Sequence, residues 1–428
     1  MKNPIKYRKY YAAELVLASP MAVSGGEDYE SDADLIRNRD GEVFIPGSSL
    51  AGALRNYVSQ KENREKLFGY SRGEKGRMSA VSLSDLYFDR KTGMQVSLRD
   101  RVKLTEEKTV DNKFDQEIIE TGAKGTLYLE YVVRKEQEEM DCEALVASLF
   151  QGMQDGEIRF GSDKNRGYGR VRIVKIYEKG FGSKDVDQWI DFQQKDRALS
   201  AYEACSYEAW KQVHKSAAAG KYVHIQVPLK QKGGISIRRY STKPDEADYE
   251  HITCNGQPVI PGSSWNGAIR ADAKNILTEA EVKDPEKVIG AWFGNLEKKG
   301  SCQSSVVVGE SVLRDTVSLP MTRNKINRFD ASTVDGALYS EVSCMNGKTE
   351  LELMVRKDAY GEYKAIVGLL YLVIRDIQKG YVAVGGQSAI GRGIFAADDD
   401  RSISCSEPLT EQECLAALYA SVKGGQAK

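Results

Sequence analysis

Residues 44–55 read FIPGSSLAGALR, and residues 259–270 read VIPGSSWNGAIR. Ile45, Pro46, Gly47, Ser48, Ser49, Gly52, Ala53 and Arg55 recur 215 positions on as Ile260, Pro261, Gly262, Ser263, Ser264, Gly267, Ala268 and Arg270. A near-copy of this length in two halves of one chain points to an internal duplication. Any fold must therefore hold two similar units in tandem.

The stretch itself is a strand, a turn and a helix. The apolar run 43–45 ends at Pro46-Gly47, where proline cannot continue a central strand and glycine permits a turn. Ser48 or Ser49 is expected to supply an N-cap hydroxyl. Leu50, Ala53, Leu54 and Tyr57 fall at helical spacing, and Trp265, Ala268 and Ile269 repeat the stripe. Gly52 and Gly267 sit where alanine would be the better helix former by roughly 1 kcal/mol. That cost suggests close approach of a backbone or a ligand. A capped helix start rich in Gly and Ser also suits a phosphate. An ordinary strand–turn–helix repeat explains the shape equally well.

The 428 residues suffice for two domains of about 200 each. Lys+Arg (61) and Asp+Glu (62) nearly cancel, so a nucleic-acid partner must be argued from local patches. Seven cysteines form no CxxC pair, which favours free thiols over disulfides or structural zinc. Three histidines leave little room for a histidine-driven nuclease. No apolar run approaches membrane-spanning length and no signal region opens the chain, so a soluble, cytoplasmic protein is expected.

Read in order, each half gives a strand (11–17; 222–229), a polar glycine-containing loop, a tight turn at Asp40-Gly41 or Asn255-Gly256, and the IPGSS element. A Phe-Gly pair follows (68–69; 293–294), then a strand (79–88; 304–313) and a long polar segment (103–125; 318–342). A second strand (126–133; 349–355), an apolar helix (142–151; 365–378) and a glycine-rich turn into a last strand (161–173; 385–395) complete the half. The polar segments lack helical periodicity and read as hairpin-like excursions; loops of such length in compact domains are usually functional. Without them the order is close to βαββαβ, so the expected fold class is α+β: two tandem ferredoxin-like (RRM-like) modules with long excursions. The expected domains are 1–178, a helical connector 179–220, 221–400, and a helical tail 401–428. In the tail Thr410 and Glu413 form a capping box.

The first glycine-rich loop carries Arg159, Lys164, Arg166, Arg170 and Arg172, with Tyr168 among them. Glycine-exposed amides and guanidiniums make a phosphate cradle, and tyrosine can stack on a base. A tight turn is the plain alternative. The second loop has Arg392 as its basic residue and should bind more weakly. Neither loop matches GxxxxGK[ST], which disfavours an NTPase. The excursions hold Arg99, Arg101, Lys103, Lys108 and Lys113, and Arg323, Lys325 and Arg328. Solvated loops would carry such charges too, but here two stand at equivalent places. Asp32, Asp34 and Asp248 lie in the loops after each first strand. Carboxylates there can hold a divalent metal, which can activate a nucleophile and steady a phosphodiester; a turn or N-cap aspartate is the commoner fate of any one.

The two IPGSS elements, the Phe-Gly pairs, RDRV followed by KFDQEIIETGAKG, and the terminal glycine-rich loops together resemble the CRISPR-associated RAMP superfamily. The resemblance covers roughly 1–178 and 221–397. It implies an RRM-like fold and similarity to backbone subunits of type III effector complexes, in particular the fused double-module subunits of type III-D-like systems. Such subunits polymerise along a crRNA, push a thumb hairpin through the guide–target duplex, and in many cases cleave target RNA with a loop aspartate. Carried over by position, Asp34 or Asp32, and Asp248, correspond to that aspartate, with Mg²⁺ (or Mn²⁺) as its cofactor. Ser48, Ser49, Arg55, Ser263, Ser264 and Arg270 fall at the guide-facing helix start, and 108–114 and 323–329 in the thumbs. The implied partners are crRNA, complementary target RNA and other RAMP subunits, with no membrane. Two functions stay open: a metal-dependent endoribonuclease subunit, and a purely structural crRNA-binding scaffold. A crRNA-processing enzyme is the more distant third, since that role usually relies on histidine.

Overall fold

The computed structural model describes residues 4–26, 33–90, 93–104, 110–134, 142–195, 197–216, 220–240, 246–295, 301–358 and 361–424. The chain divides into two compact units. One holds Met1–Lys164 with Tyr168–Gly220, the other Asn165–Gly167 with Lys221–Lys428.

The first unit is built on the strand Ile5–Leu17. Its odd residues Tyr11, Ala13, Leu15 and Leu17 enter a core with two helices, Gly47–Tyr57 and Cys142–Gln154. Strand side chains alternate between faces, so Tyr10 and Ala12 point to the other side. The sheet runs Glu203–Ser206, Val171–Gly182, Ile5–Leu17, Lys124–Arg134, Val81–Leu83. Every pairing in it is antiparallel.

The second unit repeats that order, read from the opposite edge, as Val306–Val308, Lys348–Arg356, Tyr222–Lys232, Ile394–Ala397. Tyr11 faces Leu129 and Ile225 faces Leu353, so the central registers match. Helices Gly262–Glu279 and Tyr363–Lys379 cover its core face, burying Trp265, Ile269, Ala273 and Leu277 from the first. Both IPGSS helices thus follow the first sheet strand and precede the second.

The expected excursions are hairpins. Val96–Leu104 pairs antiparallel with Val110–Ile119, and Val317–Arg323 with Tyr339–Met345. The second hairpin lies in a larger sheet than the polar sequence suggested. Tyr339–Met345 also pairs in parallel with Tyr249–His251 and antiparallel with Gly234–Ile235. Parts of the loop after the first strand are therefore strand: Gly234–Ile235 and Tyr249–His251 pair with the hairpin, and Arg238–Tyr240 pairs with Tyr249–His251.

Several local expectations hold. Asn255-Gly256, both at positive φ, link the paired strands Thr253–Cys254 and Gln257–Ile260. Thr410 and Glu413 exchange amide-to-side-chain bonds at 3.3 Å each. Two do not. The helix Gly47–Tyr57 has Pro46 as N-cap with no side-chain cap, so neither Ser48 nor Ser49 caps it; Ser263 and Ser264 likewise sit inside the first turn after Pro261. Nothing lies within 4 Å of a Cβ placed on Gly52 or Gly267. The close approach is at Gly47 and Gly262, where a Cβ would come 2.7 Å from the Leu83 oxygen and 2.4 Å from the Val308 oxygen.

Residues 179–220 do not stand apart as a connector. The strand Val171–Gly182 runs into them, Glu203–Ser206 extends the sheet, and Tyr207 and Trp210 join the first core. Phe192 and Tyr202 pack with Tyr10, Ala12 and Phe181 on the sheet's other face. The tail helix Glu411–Gly424 is equally integral, since Cys414 is buried and a Cβ on Gly368 would meet its oxygen at 2.4 Å. No described helix is long and apolar enough to cross a membrane.

Candidate nucleic-acid interface

In each unit three segments meet at the root of the hairpin: the glycine-rich turn, the segment after the first strand, and the hairpin's second strand. The hydrogen bonds repeat. Gly169 N donates to Pro20 O and Gly393 N to Gly234 O, both at 2.8 Å. Phe160 N donates to Gly169 O at 3.0 Å, and Val384 N to Gly393 O at 2.9 Å. Ser162 N reaches Ala22 O, as Gly386 N reaches Ser236 O. Gly169 and Gly393 both have positive φ, and a Cβ on either would fall within 2 Å of the Phe160 or Val384 oxygen. These glycines are required by backbone packing, which is the tight-turn reading of the loops.

A glutamate on the hairpin's second strand ties the junction together in each unit. Glu117 accepts from Leu35 N at 2.9 Å and from Arg37 Nη2 at 2.9 and 3.1 Å. Glu117 N in turn donates to Ala33 O, so the Asp34 segment is fastened alongside the hairpin. Glu341, wholly buried, meets Arg392 at 3.1 Å, Arg238 at 3.2 Å, Gln387 at 2.6 Å and Ser343 at 2.9 Å. Burial alone would raise its pKa. The hydrogen bonds from Ser343 and Gln387 and the two guanidiniums outweigh that and hold the carboxyl below its usual range.

The candidate aspartates sit beside these glutamates. Asp34 begins the short strand Asp34–Leu35 and is half-buried. Asp248 is exposed, and one of its oxygens accepts from Ser340 N at 2.7 Å and Ser340 Oγ at 2.9 Å. Those two bonds lower its pKa. Asp32 lies outside the described residues, as does Lys108, and the Lys103 side chain is likewise not described. Among the described residues no three His, Cys, Asp or Glu side chains group to hold a metal.

Four residues expected on an open RNA surface are internal: Tyr168, Arg99, Arg392 and Arg159. Tyr168 is 3% exposed and packs on Ala22 and Ile118. The Arg99 and Arg101 guanidiniums stand 5.8 and 5.0 Å from its ring centroid, and Arg99 Nη1 donates to its hydroxyl at 3.2 Å. In this arrangement its ring is not open to a base; positive φ at Gly167 and Gly169 on either side turns it inward. Arg392 is 7% exposed, with its charge committed to Glu341 and a hydrogen bond to Ser343. Arg159 is also buried, its Nε on Gly156 O. The Tyr168 and Arg392 pairings join residues distant in the chain, so the sequence carries no local signal for them.

The other residues divide between internal ties and open surface. Arg101 pairs with Asp163 at 2.6 Å, and Arg270 donates to Gly294 O at 2.8 Å. Lys113 lies 3.6 Å from Asp100 but stays exposed. Arg55, Arg166, Arg170 and Arg323 are half-buried, and Lys164 is exposed in a 3-10 turn. Ser48, Ser49 and Ser263 are exposed and Ser264 half-buried at the helix starts. At the first of these, Gly47 N already donates to Asp85 Oδ1 at 2.7 Å, so the chain's own carboxylate holds one amide a phosphate would use. At the second hairpin's tip, Lys325 and Arg328 are exposed beside a fully exposed Phe329, with no carboxylate partner among the described residues. That combination of free cations and an open ring is the feature best suited to a nucleic acid.

The family model of the RAMP superfamily matches residues 14–172 and 222–396. The chain belongs to the RAMP superfamily. Its two matched regions coincide with the two repeats of strand order and junction wiring described above. Membership places it among CRISPR-associated, RNA-binding proteins that work in complexes with other Cas subunits. No curated protein matches the chain. Each hairpin is the excursion of one module, and the aspartate segment runs along its second strand.

Proposed function

We propose that the chain is a double-module backbone subunit of a type III CRISPR effector, of the type III-D-like kind, with each module of ferredoxin-like form. It binds crRNA, positions the guide–target duplex and cleaves target RNA beside each thumb. The observation that carries the reading is the duplicated junction. In both modules a segment bearing an aspartate is fastened to the second strand of a projecting hairpin, by the Glu117 carboxylate in the first and by strand pairing with Glu341–Val342 and the Asp248–Ser340 bonds in the second. The strand orders, which match βαββαβ wiring, support the module form.

In this reading the hairpin tip, with Phe329, Lys325 and Arg328 in the second module, enters the duplex and splays the target strand. Asp248 and Asp34 lie at the root, where they can accept from or orient a 2′-hydroxyl. A lone carboxylate with one oxygen committed to Ser340 fits Mg²⁺ in the mode that uses one or two carboxylates plus substrate phosphate oxygens and water. Bound there, the ion would lower the cost of charge on the scissile phosphate. No histidine is needed.

One observation favours the scaffold alternative. Asp248 already caps Ser340, which is a structural task complete in itself. The deciding experiment is reconstitution with crRNA and partner subunits, followed by cleavage of complementary RNA with and without Mg²⁺. The cleaving reading expects Asp34→Ala to erase one product band and Asp248→Ala another. Each drop should be on the order of 100-fold in rate, as when other groups that stabilise a transition state are removed. Asp32→Ala is the control for register. Normal cleavage by all three variants leaves the scaffold.

A further inference from the structure

The face of the first unit's sheet that points away from its two helices is partly roofed by residues 186–195 and 197–202. Under that roof lies a cavity of about 480 Å³. Tyr10, Tyr128 and Glu130 line it from the two central strands, Ser82 and Ser84 from the edge, and Gln193, Arg197 and Tyr202 from the roof. The second unit does not repeat this set of lining residues. At the places of Tyr10, Tyr128 and Glu130, matched through the strand registers, stand His224, Glu352 and Met354.

Counting Arg8 just outside the lining, two guanidiniums face one carboxylate at the cavity. Glu130 meets two guanidiniums. Arg8 is hydrogen-bonded to it at 2.5 Å, while Arg197 Nη2 stands off at 3.8 Å. Arg8 and Tyr10 both bind Oε1, while Arg197 faces Oε2 from beyond hydrogen-bond reach, so its donors remain available to an anion. Its position is set: Nε donates to Gln193 Oε1 at 3.1 Å, and the guanidinium lies 5.1 Å from the Tyr10 ring centroid. The backbone at Arg197 is left-handed, φ 53°, which costs a non-glycine residue about 1 kcal/mol and collects at ligand sites. Tyr10 is fully engaged, receiving Trp189 Nε1 at 2.9 Å and Gln193 Nε2 at 3.0 Å and donating to Glu130 at 3.2 Å. The Tyr202 hydroxyl makes no hydrogen bond among the described residues, yet it is not sealed off in the core, and it lines the cavity.

We propose that this cavity binds one nucleotide. A flat heterocycle packs against the Tyr128 and Tyr202 rings, its polar edge meets the Tyr202, Ser82 and Ser84 hydroxyls, and its phosphate pairs with Arg197. The volume suits a ligand of that size. The nucleotide is either free in solution or one residue of a single RNA strand. The site is separate from the hairpin roots, and the inference does not rest on the proposed crRNA role.

The test uses the full chain alone. AMP, GMP, CMP and UMP, and a five-residue oligonucleotide of each base, are titrated by calorimetry. Saturable binding is expected for at least one of them. Tyr128→Ala should weaken it on the order of 10- to 100-fold, the worth of one stacked base. Ser82→Trp, which fills the mouth from an exposed edge position, should abolish it while thermal unfolding stays unchanged. Binding of a mononucleotide, reduced by Tyr128→Ala and abolished by Ser82→Trp, assigns the site to a free nucleotide. Binding of the oligonucleotide alone, diminished in both variants, assigns it to a residue of a strand. Absence of saturable binding at millimolar concentration, or binding unaltered by both variants, overturns the proposal.

Discussion

Ser340 grips one oxygen of Asp248 twice, with its amide at 2.7 Å and its hydroxyl at 2.9 Å. Both residues are exposed or half-exposed, so the contact is made in water and contributes little to stability. Its effect is on acidity and aim. The carboxylate is held ionised, and its second oxygen is left pointing elsewhere.

Asp248 should therefore titrate below an ordinary aspartate, and Ser340→Ala should bring it back toward the usual range. Carboxyl-carbon NMR across the acid range reads both values directly. A titration unchanged by the substitution would mean that the backbone amide alone holds the group.

At the buried junction the expected effects are on folding. Arg392→Ala leaves Glu341 buried with one guanidinium fewer, and removing a partner from such a pair costs about 3–5 kcal/mol. Guanidinium-induced unfolding should show the midpoint shift. By contrast Lys325→Ala with Arg328→Ala, on an exposed tip, should leave unfolding alone. That double variant should instead flatten the salt dependence of single-stranded RNA binding, by about 0.7 in log–log slope for each phosphate no longer neutralised.

Acid should weaken the second unit through His251. The ring is 5% exposed, with Nδ1 accepting from Ile237 N at 3.2 Å and Nε2 held 2.9 Å from Val259 O, so it is neutral with its proton on Nε2. Burial pushes its pKa down from 6.5 to about 4. The unfolded chain takes up the proton first as pH falls. Stability is thus complete above about pH 6.5 and declines toward pH 4, by up to about 3 kcal/mol. Urea unfolding at pH 7 and pH 4.5 should show the difference, and His251→Gln should remove most of it. Glu341 acts in the same sense only below about pH 4.5, being held ionised.

Glycine substitutions separate packing from ligand approach. Gly169→Ala and Gly393→Ala place a Cβ against the Phe160 and Val384 oxygens at positive φ, and both should lower the melting temperature by several degrees. Gly52→Ala and Gly267→Ala meet nothing, and each should stabilise its helix by up to about 1 kcal/mol. If the free space is where RNA approaches, the same two variants will bind crRNA more weakly while melting higher.

Much of the architecture could be read from local patterns. The helical stripe of Leu50, Leu54 and Tyr57, the Asn255-Gly256 turn and the Thr410–Glu413 box each lie within a few residues, where spacing alone carries the physics. The site was less legible because its chemistry is made by distant pairs. Tyr168 among arginines reads as an exposed stacking platform until Arg99 and Ile118 close over it. Arg392 reads as a phosphate ligand until Glu341 takes its charge. Local sequence singles out Gly52 rather than Gly47 for a related reason: helix propensity is a property of Gly52, whereas the carbonyl crowding Gly47 belongs to Leu83, on another element.

The aromatic residues between the halves carry a last consequence, for how portable each half is. Phe192, Tyr202, Tyr207 and Trp210 lie after the last shared strand begins, yet they are built into the first unit's cores. A first half cut after residue 178 would bare the Tyr10 and Ala12 face to water and forfeit its roof. A second half that begins at Lys221 keeps its own face polar, with His224, Gln226 and Lys230, but cannot spare the closing helix that seats Cys414. The two halves share one wiring diagram, but neither could stand in for the other: only the first carries a lining that its twin's surface never asks for.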